Sequence, residues 1–175
     1  MAIAFTLATI KKMMPKHLIA GFIFGITMSL LSWIVGMIIN AILSKTEYYQ
    51  KLSNFNFINS EIINKNIGIK YFKWIVKNTF FKFFNQKIKV ENKKTDLTEI
   101  RHEMTLSEIS HLIGFIFVAI VAVYLSFAKS SIVGISMMIP NTLMNLYPSL
   151  LQQENKRRID KLISRRMRTV VQHSV

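Results

Sequence analysis

Cysteine is absent from the 175-residue chain, which removes disulfides, thiolate metal sites and cysteine nucleophiles together. With no thiol to report on redox environment, the compartment has to be read from topology. Acidic residues are scarce too: nine Asp+Glu face 23 Lys+Arg, for a formal net charge of +14. Charged residues make up only 18% of the chain, hydrophobic ones reach 51%, and the mean hydropathy is +0.31. That balance is too apolar for an ordinary soluble domain, and the length suits a single domain. The three prolines and six glycines form no Pro-rich tract or Gly/Ser linker, and the chain has no internal repeat. Several catalytic templates are missing as well: no phosphate-cradling glycine loop, no GxSxG elbow, no HExxH and no HxxxxD.

What the chain does have is apolar length. Leu18 to Leu43 is a run of 26 residues without a formal charge, against the ~20 needed to cross a hydrocarbon core. It exceeds the h-region of a cleaved signal peptide and reads as an uncleaved anchor, despite the basic Lys11, Lys12 and Lys16 before it. Gly21 and Gly25 have small-xxx-small spacing, either for close helix approach or simply as glycines common in membrane helices. Leu112 to Phe127 and Ile132 to Leu151 are two further charge-free runs, separated by four residues, and they read as a helical hairpin. Its first helix is expected to start near Ser107, with Thr105 or Ser107 as its cap. The expected fold is therefore an all-α integral membrane protein with about three transmembrane helices.

Between the first run and the hairpin, Ile69 to Phe84 is a helix candidate. Phe72, Ile75, Val76, Thr79 and Phe83 share one arc, Lys70, Lys73 and Lys77 lie opposite, and Trp74 and Phe81 sit beside the lysines. Two readings stay open: an interfacial amphipathic helix in the headgroup boundary, or a helix whose apolar face packs on the protein itself. Four lysines argue against its crossing the bilayer.

Nineteen of the 23 cations lie between Lys45 and Arg101 or between Lys156 and Arg168, while the hairpin turn carries only Lys129. The positive-inside tendency then places the long loop (44–106) and the tail (156–175) in the cytoplasm. Lys11, Lys12 and Lys16 conflict with that arrangement, so the side of the N-terminal segment (1–17) stays open. The cation excess reads as a signal for orientation and for anionic lipid, with no nucleic acid needed to explain it. The expected location is the cell membrane, as a multi-pass integral protein.

Ionisable and amide side chains in or near the apolar runs are the candidates for chemistry. Glu108 and His111 lie three apart and would share a helix face. The imidazole could take a proton from an acceptor alcohol while Glu108 oriented it, or both could sit at a solvated helix start. Asn141 and Asn145 share a face in the third run, between Pro140 and Pro148, as helix glue or as the lining of a polar cavity. Gln152, Asn155 and Arg158 follow at spacing three, suited to phosphate or headgroup contact or to fixing topology. His17, His102 and His173 have no ligand spacing to this group. No metal site and no cofactor are expected.

The segments MTLSEISHLIGF (Met104 to Phe115) and NxxxNLYPSLLQQENKRRI (Asn141 to Ile159) resemble the glycosyl diaponeurosporenoate acyltransferase family of small bacterial membrane proteins. That family carries an AExxHW motif at the start of a hydrophobic hairpin, then NLP and a QRYNRxRL ending. Glu108 and His111, then Asn145, Gln152, Asn155, Arg158 and Ile159, fall on the pattern, and the upstream FKWIVKNTFFKFFNQKIK looks like the family's aromatic and basic region. The likeness covers about Ile69 to Leu162. Departures are Leu112 for a Trp, a Pro displaced to Pro148, Gln153-Glu154 for Arg-Tyr, and Lys156 for an Arg.

The resemblance implies acyl transfer from an activated fatty acyl donor to a hydroxyl of a glycolipid or related lipid-linked acceptor. In that scheme His111 is the general base and Glu108 its orienting partner. Asn145, Gln152, Asn155 and Arg158 would contact substrate, and Asn141, from the residues alone, lines the same face. Membrane lipids and the acyl donor are the expected partners, and a homodimer is expected because three spans leave a monomer little room for an enclosed site. The alternative is a non-catalytic membrane adaptor with a lipid-binding basic face.

Overall fold

The computed structural model describes residues 2–47, 49, 52, 68–78 and 96–173, and among them all regular structure is helical. Helix α1 runs from Ala2 to Leu43, α2 from Ile69 to Asn78, α3 from Leu97 to Ala128, α4 from Ser131 to Asn141, and α5 from Tyr147 to His173. A π-helical turn, Thr142–Leu146, joins α4 to α5. The segments Met14–Leu43 and Leu97–Ala128 are long and apolar enough to cross a membrane.

The anchor expected over 18–43 lies inside α1, whose helix continues back through Pro15. The second apolar run differs at its start: α3 begins ten residues before Ser107, and the cap is neither Thr105 nor Ser107. Asp96 does that work, its Oδ1 accepting from the Thr98 backbone N–H (2.8 Å) and hydroxyl (2.6 Å). Those bonds favour the carboxylate, so the Asp96 pKa lies below its ordinary value, with the Thr98 hydroxyl the largest cause. The amphipathic stripe Leu97, Ile100 and Met104 carries the helix from this cap to the apolar run. Thr105 instead bonds back to the Arg101 carbonyl at 3.0 Å.

The third apolar run is helical but not one regular α-helix. Ser130 caps α4 by accepting from the Ile132 N–H, and the π turn begins at Thr142, two residues after Pro140. A π turn wedged into an α-helix shifts the side chains after it around the axis and recurs at functional sites. Of the amphipathic segment expected over 69–84, α2 covers Ile69–Asn78, and 79–84 lie outside the described residues. Gly68, at φ +76°, supplies the left-handed turn before α2, and its carbonyl accepts from Tyr71 and Phe72.

The chain divides into two compact units, residues 1–42 with 110–146 and residues 43–109 with 147–175. In the first, small residues bring α1 against the hairpin: a Cβ on Gly25 would lie 2.6 Å from the Met137 carbonyl oxygen. Val118, Ala122 and Met137 are the apolar centre, with Met28 packed on them. Ser29, Ser32, Ser136, Asn141 and Asn145 are buried, while Ile23, Ile34, Ile38, Ile120 and Ile135 are exposed. Polar inside and apolar outside is what a lipid solvent selects.

The second unit follows the opposite rule. Leu97, Met104 and Ile159 form a small apolar core with Ile100 and Ile163. Helix α2 packs on α5 through Phe72 and Tyr147, whose ring centroids are 5.1 Å apart, and through Lys73, which pairs with Glu154 at 3.8 Å. Ile69 and Val76 are buried, whereas Tyr71 and Trp74 are exposed. The Phe72 and Val76 face therefore packs on the protein's own helices.

Candidate functional site

In the first unit the π turn and the start of the 110–128 stretch of α3 bring three sequence candidates together. Asn145 Nδ2 donates to Asn141 Oδ1 at 2.9 Å and to Ser32 Oγ of α1 at 3.0 Å. Asn141 Nδ2 in turn donates to the Phe115 backbone carbonyl at 3.1 Å. Both asparagines are fully buried, so these bonds offset a desolvation cost of about 1–3 kcal/mol for each group that would otherwise go unpaired. His111 is partly buried and stands edge-on to Trp33 with ring centroids 6.1 Å apart. No ordinary hydrogen bond closes at His111 Nδ1 or Asn145 Oδ1 among the described residues, although both atoms are buried. Gly114 keeps this place open, since a Cβ there would lie 2.9 Å from Ser32 Oγ and 3.1 Å from Asn145 Oδ1.

The remaining candidates belong to the second unit. Glu108 and Lys156, both almost wholly buried, form an ion pair, and the buried Gln153 amide bears on the same carboxylate. Glu108, Lys156 and Gln153 thus make one buried polar group. Gln152 reaches the Ser107 hydroxyl at 3.5 Å, and Asn155 reaches Gln152 Oε1 at 3.4 Å, both at the long limit of a hydrogen bond. Arg158 is exposed and pairs with Glu154 one turn earlier. Arg101 binds Asp160 at 2.6 Å.

Ser32 and Trp33 are site neighbours that the sequence alone does not single out, and Gln153 and Lys156 stand out there only as departures from the family motif, with no site role. Ser29 and Ser32, polar residues within the long apolar run, are the signal for α1. For Lys156 the signal is its place in the family's C-terminal motif, where the family has an Arg; its burial is not legible in the sequence. Among the described residues no group of three His, Asp or Glu side chains could hold a metal ion.

Two long apolar helices and a unit with its polar groups turned inward define a helical membrane protein. The chain belongs to the glycosyl-4,4'-diaponeurosporenoate acyltransferase family, whose model matches residues 45–165, about two thirds of the sequence. Both units contribute to the matched stretch. No curated protein and no solved structure matches.

Proposed function

We propose that this protein is a membrane acyltransferase that moves a fatty acyl group onto a hydroxyl of a lipid-linked acceptor such as a glycolipid. The observation that carries this reading is a histidine among buried neutral polar side chains inside an otherwise apolar helical unit, in a chain of an acyltransferase family. His111 takes the proton of the acceptor hydroxyl as its oxygen attacks the acyl carbonyl carbon. The new C–O ester bond forms, the bond to the activated leaving group breaks, and the imidazolium returns its proton to that group. Glu108 has its carboxylate on Lys156, an arrangement that leaves the imidazole to be oriented from within its own unit. Gln152, Asn155 and the exposed Arg158 are suited to contact the polar part of donor or acceptor.

The same reading has the chain cross the membrane three times, with α3 and the run from Ile132 to Leu151 as two of the passes. Tyr71 and Trp74, exposed on α2, then lie at the headgroup boundary, where such aromatic side chains concentrate. Cysteines introduced as Lys129→Cys and Arg165→Cys should label from opposite sides of the membrane with an impermeant thiol reagent; labelling from the same side would remove the three-pass topology.

A non-catalytic membrane adaptor is the second reading, favoured by the way the Asn141 donor is spent on a helix-to-helix hydrogen bond. Lipid profiles of a deletion strain, complemented with wild type or His111→Ala, separate the two. Catalysis predicts an acylated lipid present only with the wild type. Identical profiles in all three strains would favour the adaptor.

A further inference from the structure

The amide chain in the first unit has a fixed polarity. It starts at the Phe115 carbonyl, a group that can only accept, so the Asn141 side chain must present Nδ2 to it and Oδ1 to Asn145. Asn145 must therefore turn Nδ2 towards Asn141. The Ser32 hydroxyl accepts from the same Nδ2 and donates to the Ser29 carbonyl at 2.7 Å. Both Asn145 amide hydrogens are thus used, and its Oδ1 can act only as an acceptor. Side-chain amide orientation is ordinarily an assignment from the network around it; here a backbone carbonyl fixes it two residues upstream in the chain of bonds.

The two buried atoms left over, Asn145 Oδ1 and His111 Nδ1, meet at one face of α3: Gly114, three residues after His111, would place a Cβ 3.1 Å from Asn145 Oδ1. An acceptor-only oxygen facing an imidazole nitrogen demands a hydrogen on that nitrogen, and the other nitrogen then carries the lone pair.

We infer that Asn145 is the positioning residue of the His111 base: its Oδ1 holds the hydrogen on Nδ1 and leaves Nε2 bare to accept the proton of the acceptor hydroxyl. This rests on the acyl-transfer reading above and names the group within that site that sets the tautomer. Asn141, fixed by the Phe115 carbonyl, prevents Asn145 from flipping, and Gly114 leaves room for the Oδ1 to face the ring. Catalytic hydrogen bonds are often loose in the empty enzyme and shorten when substrate is bound, which fits an unclosed contact at Nδ1.

The test is the tautomer itself. In the full chain in lipid nanodiscs, His17→Gln, His102→Gln and His173→Gln leave His111 as the single histidine, and nitrogen-15 NMR of labelled imidazole reads which nitrogen bears hydrogen. A single neutral Nδ1–H form is expected in that background; an Nε2–H form, or a mixture of the two, would overturn the inference. Adding Asn145→Asp keeps an acceptor and should keep the Nδ1–H form, while Asn145→Leu and Asn141→Leu should each give a mixture.

A packing role predicts the reverse order, because Asp gives up both donated hydrogen bonds and adds a charge. Equal loss of the tautomer in Asp and Leu would therefore sink the positioning role. In cells, the lipid product lost with His111→Ala should fall about ten- to a hundredfold with Asn145→Leu, within the ~10²–10⁴ that a general base contributes, and return in part with Asn145→Asp. A held Nδ1–H form together with identical lipid profiles for wild type and His111→Ala would support the geometry and overturn the acyl-transfer reading, so the two fail separately.

Discussion

The two units of this chain obey opposite solvation rules. All nine acidic residues and 19 of the 23 cations fall in the second unit, and the first contains no Asp or Glu at all. In the second, apolar Leu97, Met104 and Ile159 are inside, while Lys73, Arg101 and Arg158 pair with Glu154 or Asp160 nearer the surface. The first buries serines and asparagines and exposes isoleucines. Water drives the arrangement of the second unit by the hydrophobic effect. Lipid removes that drive and leaves close packing and hydrogen bonding to hold helices together. One feature of the second unit breaks its own rule: the Glu108–Lys156 pair is buried like the polar groups of the first.

That exception gives the largest expected effect. Lys156→Met or Glu108→Leu alone leaves an uncompensated buried charge and should cost about 3–5 kcal/mol of stability, whereas the double variant should be close to wild type or above it. Denaturation in detergent micelles measures all three; equal losses in single and double variants would place the pair outside the buried class.

Next in size, Ile34→Arg on the exposed face of α1 should weaken membrane insertion by about 2.5–3.5 kcal/mol at a mid-membrane position. The same change at exposed Leu162 of α5 should alter stability within about 0.5 kcal/mol. A glycosylation-mapped insertion assay reads the first and thermal unfolding the second. Similar tolerance at both sites would erase the contrast between the units.

Smaller again is Gly25→Val, where the new side chain meets the Met137 carbonyl. Overpacking of this kind costs about 1–3 kcal/mol, seen as a lowered melting temperature, while Ile38→Ala on the lipid side should leave it unchanged.

The smallest effect concerns the cap of α3. Asp96 is held below its ordinary pKa by hydrogen bonds from Thr98, so the folded-state value lies under the unfolded one. Its contribution is then fully present above the unfolded pKa and is lost as pH falls through the lowered folded value. Asp96→Asn should abolish that part of the acid dependence of the melting temperature and change little near neutrality.

Legibility differed between the units for the same reason. The apolar runs of α1 and α3 are visible because lipid demands ~20 uncharged residues in sequence order. The start of α3 at Leu97 was harder, because Asp96 sits at the end of a polar stretch and the stripe after it is short. His111, Asn141 and Asn145 could be singled out as polar groups in apolar surroundings, but their arrangement could not. It depends on a π turn and on Ser32 and Trp33, which lie far away along the chain.

Helical class, apolar spans, the segregation of charge and the family resemblance were fixed by residue order alone, since each rests on composition or spacing along the chain. Which side chains meet was decided only in three dimensions. Glu108 pairs with Lys156, 48 positions later, and Asn145 reaches Ser32, 113 positions earlier. Contacts of that range are chosen by how helices pack and where a π turn rotates them. A one-dimensional pattern of residue types does not contain that information.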